Sequence, residues 1–117
     1  MEKTEGVAQM KVFSTYQDGR LTISLQGELD HHAAKETMTL IEKLLDEYMP
    51  RELALDFSPL TFMDSSGIAL LLRLTRRLSG AGGRVWVERA RLQPRRVLEA
   101  SGIGRMIRIK TEDEDSI

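Results

Sequence analysis

The sequence contains no cysteine. Disulfide frameworks, thiolate nucleophiles and Cys-ligated zinc are therefore excluded together, and any chemistry must come from oxygen and nitrogen groups. Aromatic residues make up 5% of the 117 positions, and there are three prolines. No apolar run approaches the ~20 residues that a membrane span requires. The opening residues Met1, Glu2, Lys3, Thr4 and Glu5 are polar and acidic, where a secretory leader would carry a basic stretch followed by an apolar one. A cytoplasmic protein without membrane contact is expected. The formal net charge of −1 argues against a strongly cationic nucleic-acid binder.

What is present is the balance of a globular domain: 41% hydrophobic and 30% charged residues. At this length one core is expected, burying roughly two thirds of the surface that the unfolded chain exposes. The near-neutral total hides a segregation of charge. Residues 1–72 carry 6 basic and 12 acidic side chains, whereas residues 73–108 carry 10 arginines and only Glu88 and Glu99. The last seven residues include Glu112, Asp113, Glu114 and Asp115. The arginine-rich third reads either as the solvent faces of two helices and a strand or as a docking face for acidic groups or phosphates.

Residues 1–9 show no periodicity and are expected to be a frayed start. The folded domain is expected over 10–110 and an acidic tail over 111–117. Met10, Val12, Phe13 and Tyr16, then Leu21, Ile23 and Leu25, flank Asp18-Gly19 and predict a hairpin. Gly27 is expected to end the second strand. Asp30 stands where a helix N-cap belongs, ahead of apolar positions at helical spacing from His31 to Tyr48, and Pro50 stops the helix. Leu53, Leu55 and Phe57 predict a third strand broken by Ser58-Pro59. A second helix carries Ile68, Leu71, Leu72, Thr75 and Leu78 on one stripe and ends in Ser79-Gly80-Ala81-Gly82-Gly83. Val85-Trp86-Val87, a third helix from about Pro94 to Ala100 ended by Gly102, and a short strand at Met106, Ile107 and Ile109 complete the order ββαβαβαβ. Strands alternating with helices imply a mixed, mostly parallel sheet, so the class is α/β in a single domain.

Asp64-Ser65-Ser66-Gly67 precedes the second helix and has two readings. As structure, its oxygen groups cap free N–H groups at the helix start. As function, the same N–H groups and the positive end of the helix dipole tolerate an added phosphate, so a serine here can be modified without unfolding the chain. Asp30-His31-His32 is poorly placed to chelate a metal, because adjacent helical residues diverge by about 100° and no third His or Cys completes a zinc site. A hydrolase triad of Ser65, a histidine and Asp30 lacks a nucleophile elbow and an oxyanion loop. Gly80-Ala81-Gly82-Gly83 lacks the Lys-Ser/Thr of a phosphate-binding loop and reads as a turn. No metal or cofactor is expected.

Two stretches, Gly27-Glu28-Leu29-Asp30-His31-His32-Ala33 and Phe62-Met63-Asp64-Ser65-Ser66-Gly67-Ile68, with Ser101-Gly102 after the third helix, resemble the STAS-domain anti-sigma factor antagonists, including those of bacterial sporulation. The resemblance runs from about Met10 to Ile109. It implies a STAS fold and a non-enzymatic switch in transcription. The unphosphorylated form would bind an anti-sigma factor that is itself an ATP-dependent serine kinase, releasing the sigma factor. Phosphorylation of Ser65 would end the binding, and a serine phosphatase would restore it. By the same resemblance Asp64, Ser66 and Gly67, with Asp30 and His31 from the neighbouring helix, face the partner. Local physics alone does not choose between Ser65 and Ser66; the motif chooses Ser65. Alternatives are a STAS module in a stress-signalling or other kinase-regulated complex, and a nucleotide-binding STAS protein. Ala69 departs from the second glycine usual in the family, and Thr111 and Glu114 leave room for barely one capped turn where the family has a final helix.

Overall fold

Alternation is the organising signal of the sheet. Met10, Val12, Leu21, Ile23 and Leu25 all lie at 2% exposure or less, while Lys11, Thr15 and Gln26 between them face solvent. The computed structural model describes residues 3–7 and 10–110. In chain order these form β1 (Lys3–Val7), β2 (Met10–Gln17), β3 (Arg20–Leu29), α1 (His31–Tyr48), β4 (Glu52–Asp56), β5 (Leu60–Met63), α2 (Ser65–Gly80), β6 (Arg84–Glu88), α3 (Leu92–Ser101), a 3-10 turn (Ile103–Arg105) and β7 (Arg108–Lys110).

The strands make one sheet in the order β1-β2-β3-β4-β6-β7. The β1–β2 and β2–β3 pairs are antiparallel, and the others are parallel. β3 is long enough to serve two neighbours. Its first half pairs with β4, from Arg20 opposite Glu52 to Ser24 opposite Asp56. Its second half pairs with β5, with Leu29 opposite Met63 and a register shift between Gly27 and Glu28. Gly27 has a positive φ of 115°, the backbone that such a bulge favours and glycine adopts without a steric cost.

α1 forms where the sequence places its stripe: Ala33, Thr37, Met38, Ile41, Leu44 and Leu45 are buried. It ends at Met49, a left-handed residue (φ 46°) whose N–H donates to the Leu45 carbonyl at 2.8 Å, one residue before Pro50. α1 packs on β2, β3 and α2, α2 also packs on β6, and α3 covers β5. Tyr16 of β2 stacks on Tyr48 at the end of α1, ring centroids 4.8 Å apart. Among the described residues, Thr37 Oγ1 is buried without a hydrogen-bond partner.

Asp56 and Trp86 alternate with core residues and so point away from this layer. Asp56, 8% exposed, accepts hydrogen bonds from the Ser24 hydroxyl (3.1 Å) and the Ser58 N–H (2.9 Å), and pairs with Arg89 at 3.0 Å. Burial pushes its carboxyl upward, but the Arg89 guanidinium and the Ser58 groups outweigh this and hold it below its usual value. Trp86 lies under Arg20 and Lys110, 5.0 and 4.7 Å from the ring centroid, and its Nε1–H donates to Glu88 at 2.6 Å.

The α/β class, the mixed and mostly parallel sheet and all three helices agree with the sequence reading. Four expectations are corrected. Lys3–Val7 is not a frayed start, since it pairs as β1 along the whole of Met10–Ser14. The order ββαβαβαβ lacks both β1 and β5. Gly27 does not end its strand, because β3 bulges there and continues to Leu29. The last strand is also shifted, as Met106 and Ile107 precede β7. The acidic tail and its capping box at Thr111 and Glu114 lie outside the described residues. No helix among the described residues is long and apolar enough to cross a membrane.

Candidate functional site at the paired helix starts

β3 and β5 run side by side in the same direction, and each leads through one aspartate into a helix. The starts of α1 and α2 therefore emerge together at the carboxyl ends of neighbouring strands, where exposed N–H groups and the positive ends of two helix dipoles converge. Asp30 caps α1, its Oδ1 accepting the Ala33 N–H at 3.0 Å. Asp64 reaches both helices. Its Oδ1 accepts the Ser66 N–H at 2.8 Å, and its Oδ2 accepts the His31 N–H of α1 at 3.0 Å. One carboxylate thus ties the two helix starts to each other.

Ser65 is the first residue of α2 and is exposed, whereas Ser66 is half-buried. The Ser65 hydroxyl makes no hydrogen bond among the described residues. Gly67 closes the turn, its N–H donating to the Asp64 carbonyl at 3.0 Å. A Cβ at Gly67 would overlap the Met63 side chain and come within 3.2 Å of Leu29 Cδ2. The glycine of the Asp64–Gly67 motif is therefore what lets α2 settle onto β3 and β5.

Met63, the residue before Asp64, is completely buried and held on both sides. On one side it pairs with Leu29, and the Asp64 N–H donates to the Leu29 carbonyl at 3.3 Å. On the other, the Gln93 side chain of α3 accepts the Met63 N–H at 2.8 Å and donates to the Met63 carbonyl at 3.0 Å. The sequence reading missed Gln93. A lone glutamine beside Pro94 carries no motif, and only the packing of α3 on β5 brings it to the site. Phe62 on β5 and Leu92 at the start of α3 add exposed apolar surface, 38% and 53% accessible.

All six residues proposed from the sequence for acceptor and partner contact, Asp30, His31, Asp64, Ser65, Ser66 and Gly67, lie at this junction. His31 and His32 are exposed, with rings edge to face at 5.7 Å. The described residues contain no group of three His, Asp or Glu side chains arranged to hold a metal ion. The Asp30 carboxylate is committed to a backbone N–H, and no imidazole accepts from the Ser65 hydroxyl. Among the described residues, the serine is thus an accessible primary alcohol at the positive end of a helix with no imidazole or carboxylate hydrogen-bonded to it.

Part of the arginine-rich segment is paired within the fold, away from this junction. Arg73 and Arg77 of α2 pair with Glu42 and Asp46 of α1, while Arg84 and Arg20 share Glu52.

Comparison with known proteins places this arrangement. The family model described as STAS domain matches residues 12–115. An anti-sigma F factor antagonist from Lysinibacillus sphaericus is 32% identical over 94 residues, covering 80% of each chain. The solved structure of the anti-sigma factor antagonist SpoIIAA in its unphosphorylated form is similar with a TM-score of 0.68 at 30% identity, over 98% of this chain and 92% of that one. The structure of the Bacillus cell fate determinant SpoIIAA in the phosphorylated form matches with a TM-score of 0.61 at 30% identity, over 98% and 96% of the two chains. With the sheet topology, the paired helix starts and a match along most of its length, the chain belongs to the STAS domain family.

Proposed function

We propose that this protein is an anti-sigma factor antagonist whose binding is switched off by phosphorylation of Ser65. The observation that carries the reading is the state of that serine: exposed, its hydroxyl without a hydrogen bond among the described residues, and first in α2 beside the Asp64 that fastens both helix starts. The names of the relatives supply the class of partner, an anti-sigma factor. The phosphorylated state of one neighbour supplies the class of modification.

In this reading the unphosphorylated protein presents the junction to an anti-sigma factor that is also a serine kinase, and the sigma factor is released. The bound kinase then transfers the γ-phosphoryl group of ATP to Ser65 Oγ. An O–P bond forms, ADP departs and the hydroxyl proton passes to a base of the kinase. The fold accommodates the new charge, because the dianion lies at the positive end of α2. The interface does not. Charge added beside Asp64 in a desolvated contact need cost only about 4 kcal/mol to weaken the complex about a thousandfold. A serine phosphatase hydrolyses the ester and resets the switch. The protein itself catalyses neither step and acts in the cytoplasm, with sporulation the process that the family resemblance implies.

The test is intact-mass spectrometry with peptide mapping after incubation with ATP and the cognate kinase. One phosphate on Ser65 is expected, and it should be absent in Ser65→Ala. Labelling that survives Ser65→Ala and disappears in Ser66→Ala would move the acceptor by one residue. Ser65→Asp should weaken kinase binding while the melting temperature moves little, and equal losses of both would overturn the reading.

A further inference from the structure

We propose that Gln93 is a positioning residue for the Ser65 switch, acting as a one-residue strand along the outer edge of β5; this inference rests on the reading of Ser65 as acceptor. Among the described residues β5 has a single strand neighbour, β3. Its other edge would leave the Met63 N–H and carbonyl unpaired in a completely buried position, and such groups are costly to leave unmade. A glutamine amide presents a carbonyl acceptor and an N–H donor side by side in one plane, as a peptide unit does. Gln93 uses both, at 2.8 and 3.0 Å, and so completes the ladder with a side chain.

The place where this happens gives the clamp its role. Met63 is the last residue before Asp64, and Asp64 in turn sets the spacing of the two helix starts. The Met63 side chain also lies beneath Gly67, so the same residue supports the first turn of α2 from below. Three constraints meet at Met63: pairing with Leu29, the Gln93 amide and the contact under Gly67. With the amide removed, β5 is held along one edge alone. The Asp64-Ser65 pair then gains freedom in the direction along which a partner must approach. Phosphoryl transfer depends on alignment of the attacking oxygen, and a displacement of about 1 Å can cost as much as a hundredfold in rate. Gln93 is not among the residues assigned to the partner face, so the clamp bears on the transfer step more than on encounter.

The experiment compares the full chain with Gln93→Met, which keeps the length of the side chain and removes both hydrogen bonds, and with Gln93→Glu, which keeps the acceptor and loses the donor. Two readouts are taken: amide hydrogen exchange at Met63 by NMR, and kcat and KM for phosphorylation of Ser65 by the cognate anti-sigma factor kinase with ATP. In Gln93→Met, exchange at Met63 should accelerate and kcat fall about tenfold, while KM stays within about twofold. Gln93→Glu should show a smaller fall in kcat, and it carries the test if Gln93→Met does not fold. A kcat for Gln93→Met within about twofold of the parent, or unchanged exchange at Met63, overturns the inference and leaves the switch reading intact. A parent protein that is not labelled at Ser65 removes the switch reading and this inference with it.

Discussion

Asp64 satisfies an N–H on each of two helices, whereas Asp30 serves one, and the difference should be measurable. A lost N-cap costs about 1 kcal/mol. Asp30→Ala should therefore lower the unfolding free energy by about that amount, and Asp64→Ala by about 2 kcal/mol, in urea titrations read with unchanged m-values. Asp56 gives the acid limb of the stability curve a specific origin. Although burial pushes its carboxyl up, Arg89 and Ser58 hold it below its ordinary value in the folded state, so the unfolded chain binds the proton more readily. The contribution is fully present above the unfolded carboxylate pKa of about 4 and is lost as the pH falls through the lower folded value. Asp56→Asn should flatten the fall of melting temperature below about pH 4, and an unaltered slope would reassign the acid sensitivity to other carboxylates. The aspartates of the candidate site were legible because N-cap chemistry is local: each stands directly before an apolar periodic run. The reach of Asp64 to the His31 N–H was not, since it joins residues 33 positions apart and depends on two strands coming into register.

Helix ends show the same division between local and distant causes. α1 was legible at both ends, with Asp30 at one and Pro50 at the other. Its last link, Met49, is left-handed and 81% exposed, and neither property suits methionine. Met49→Gly should stabilise the protein by about 0.5–1 kcal/mol in thermal or denaturant unfolding, because glycine enters that conformation without the Cβ penalty. A loss of stability would mean that the Met49 side chain contributes more by packing than its exposure indicates. β5 escaped the sequence reading for a physical reason. Leu60 and Met63 are buried while Thr61 and Phe62 are exposed, so the segment lacks the period of two that identifies a strand. β1 likewise carries Lys3, Thr4, Glu5, Gly6 and Val7, with no apolar alternation, and owes its existence to pairing with β2. Gly27 looked like a terminator because glycine ends strands and also bends them, and only the neighbouring register distinguishes the two.

At the scale of the molecule, charge that is separated along the chain becomes mixed in space. The arginines of α2 face the acids of α1, and Glu52 lies between Arg20 and Arg84. The docking face suggested by an arginine-rich third is thus partly dissolved into ion pairs across neighbouring elements, a rearrangement that composition cannot foresee. The sheet likewise separates two kinds of surface. Ser65 opens a helix in the layer packed on one face, and Trp86 points from the other, under Arg20 and Lys110. Trp86 is the sole tryptophan of the chain. The molecule consequently carries a built-in optical probe on the face of the sheet opposite the candidate site. Its emission should change sharply when the sheet melts and stay constant when Ser65 acquires a phosphate. On the proposed reading, a single unlabelled sample of the phosphorylated protein can then show, in the same cuvette, that the chain is still folded.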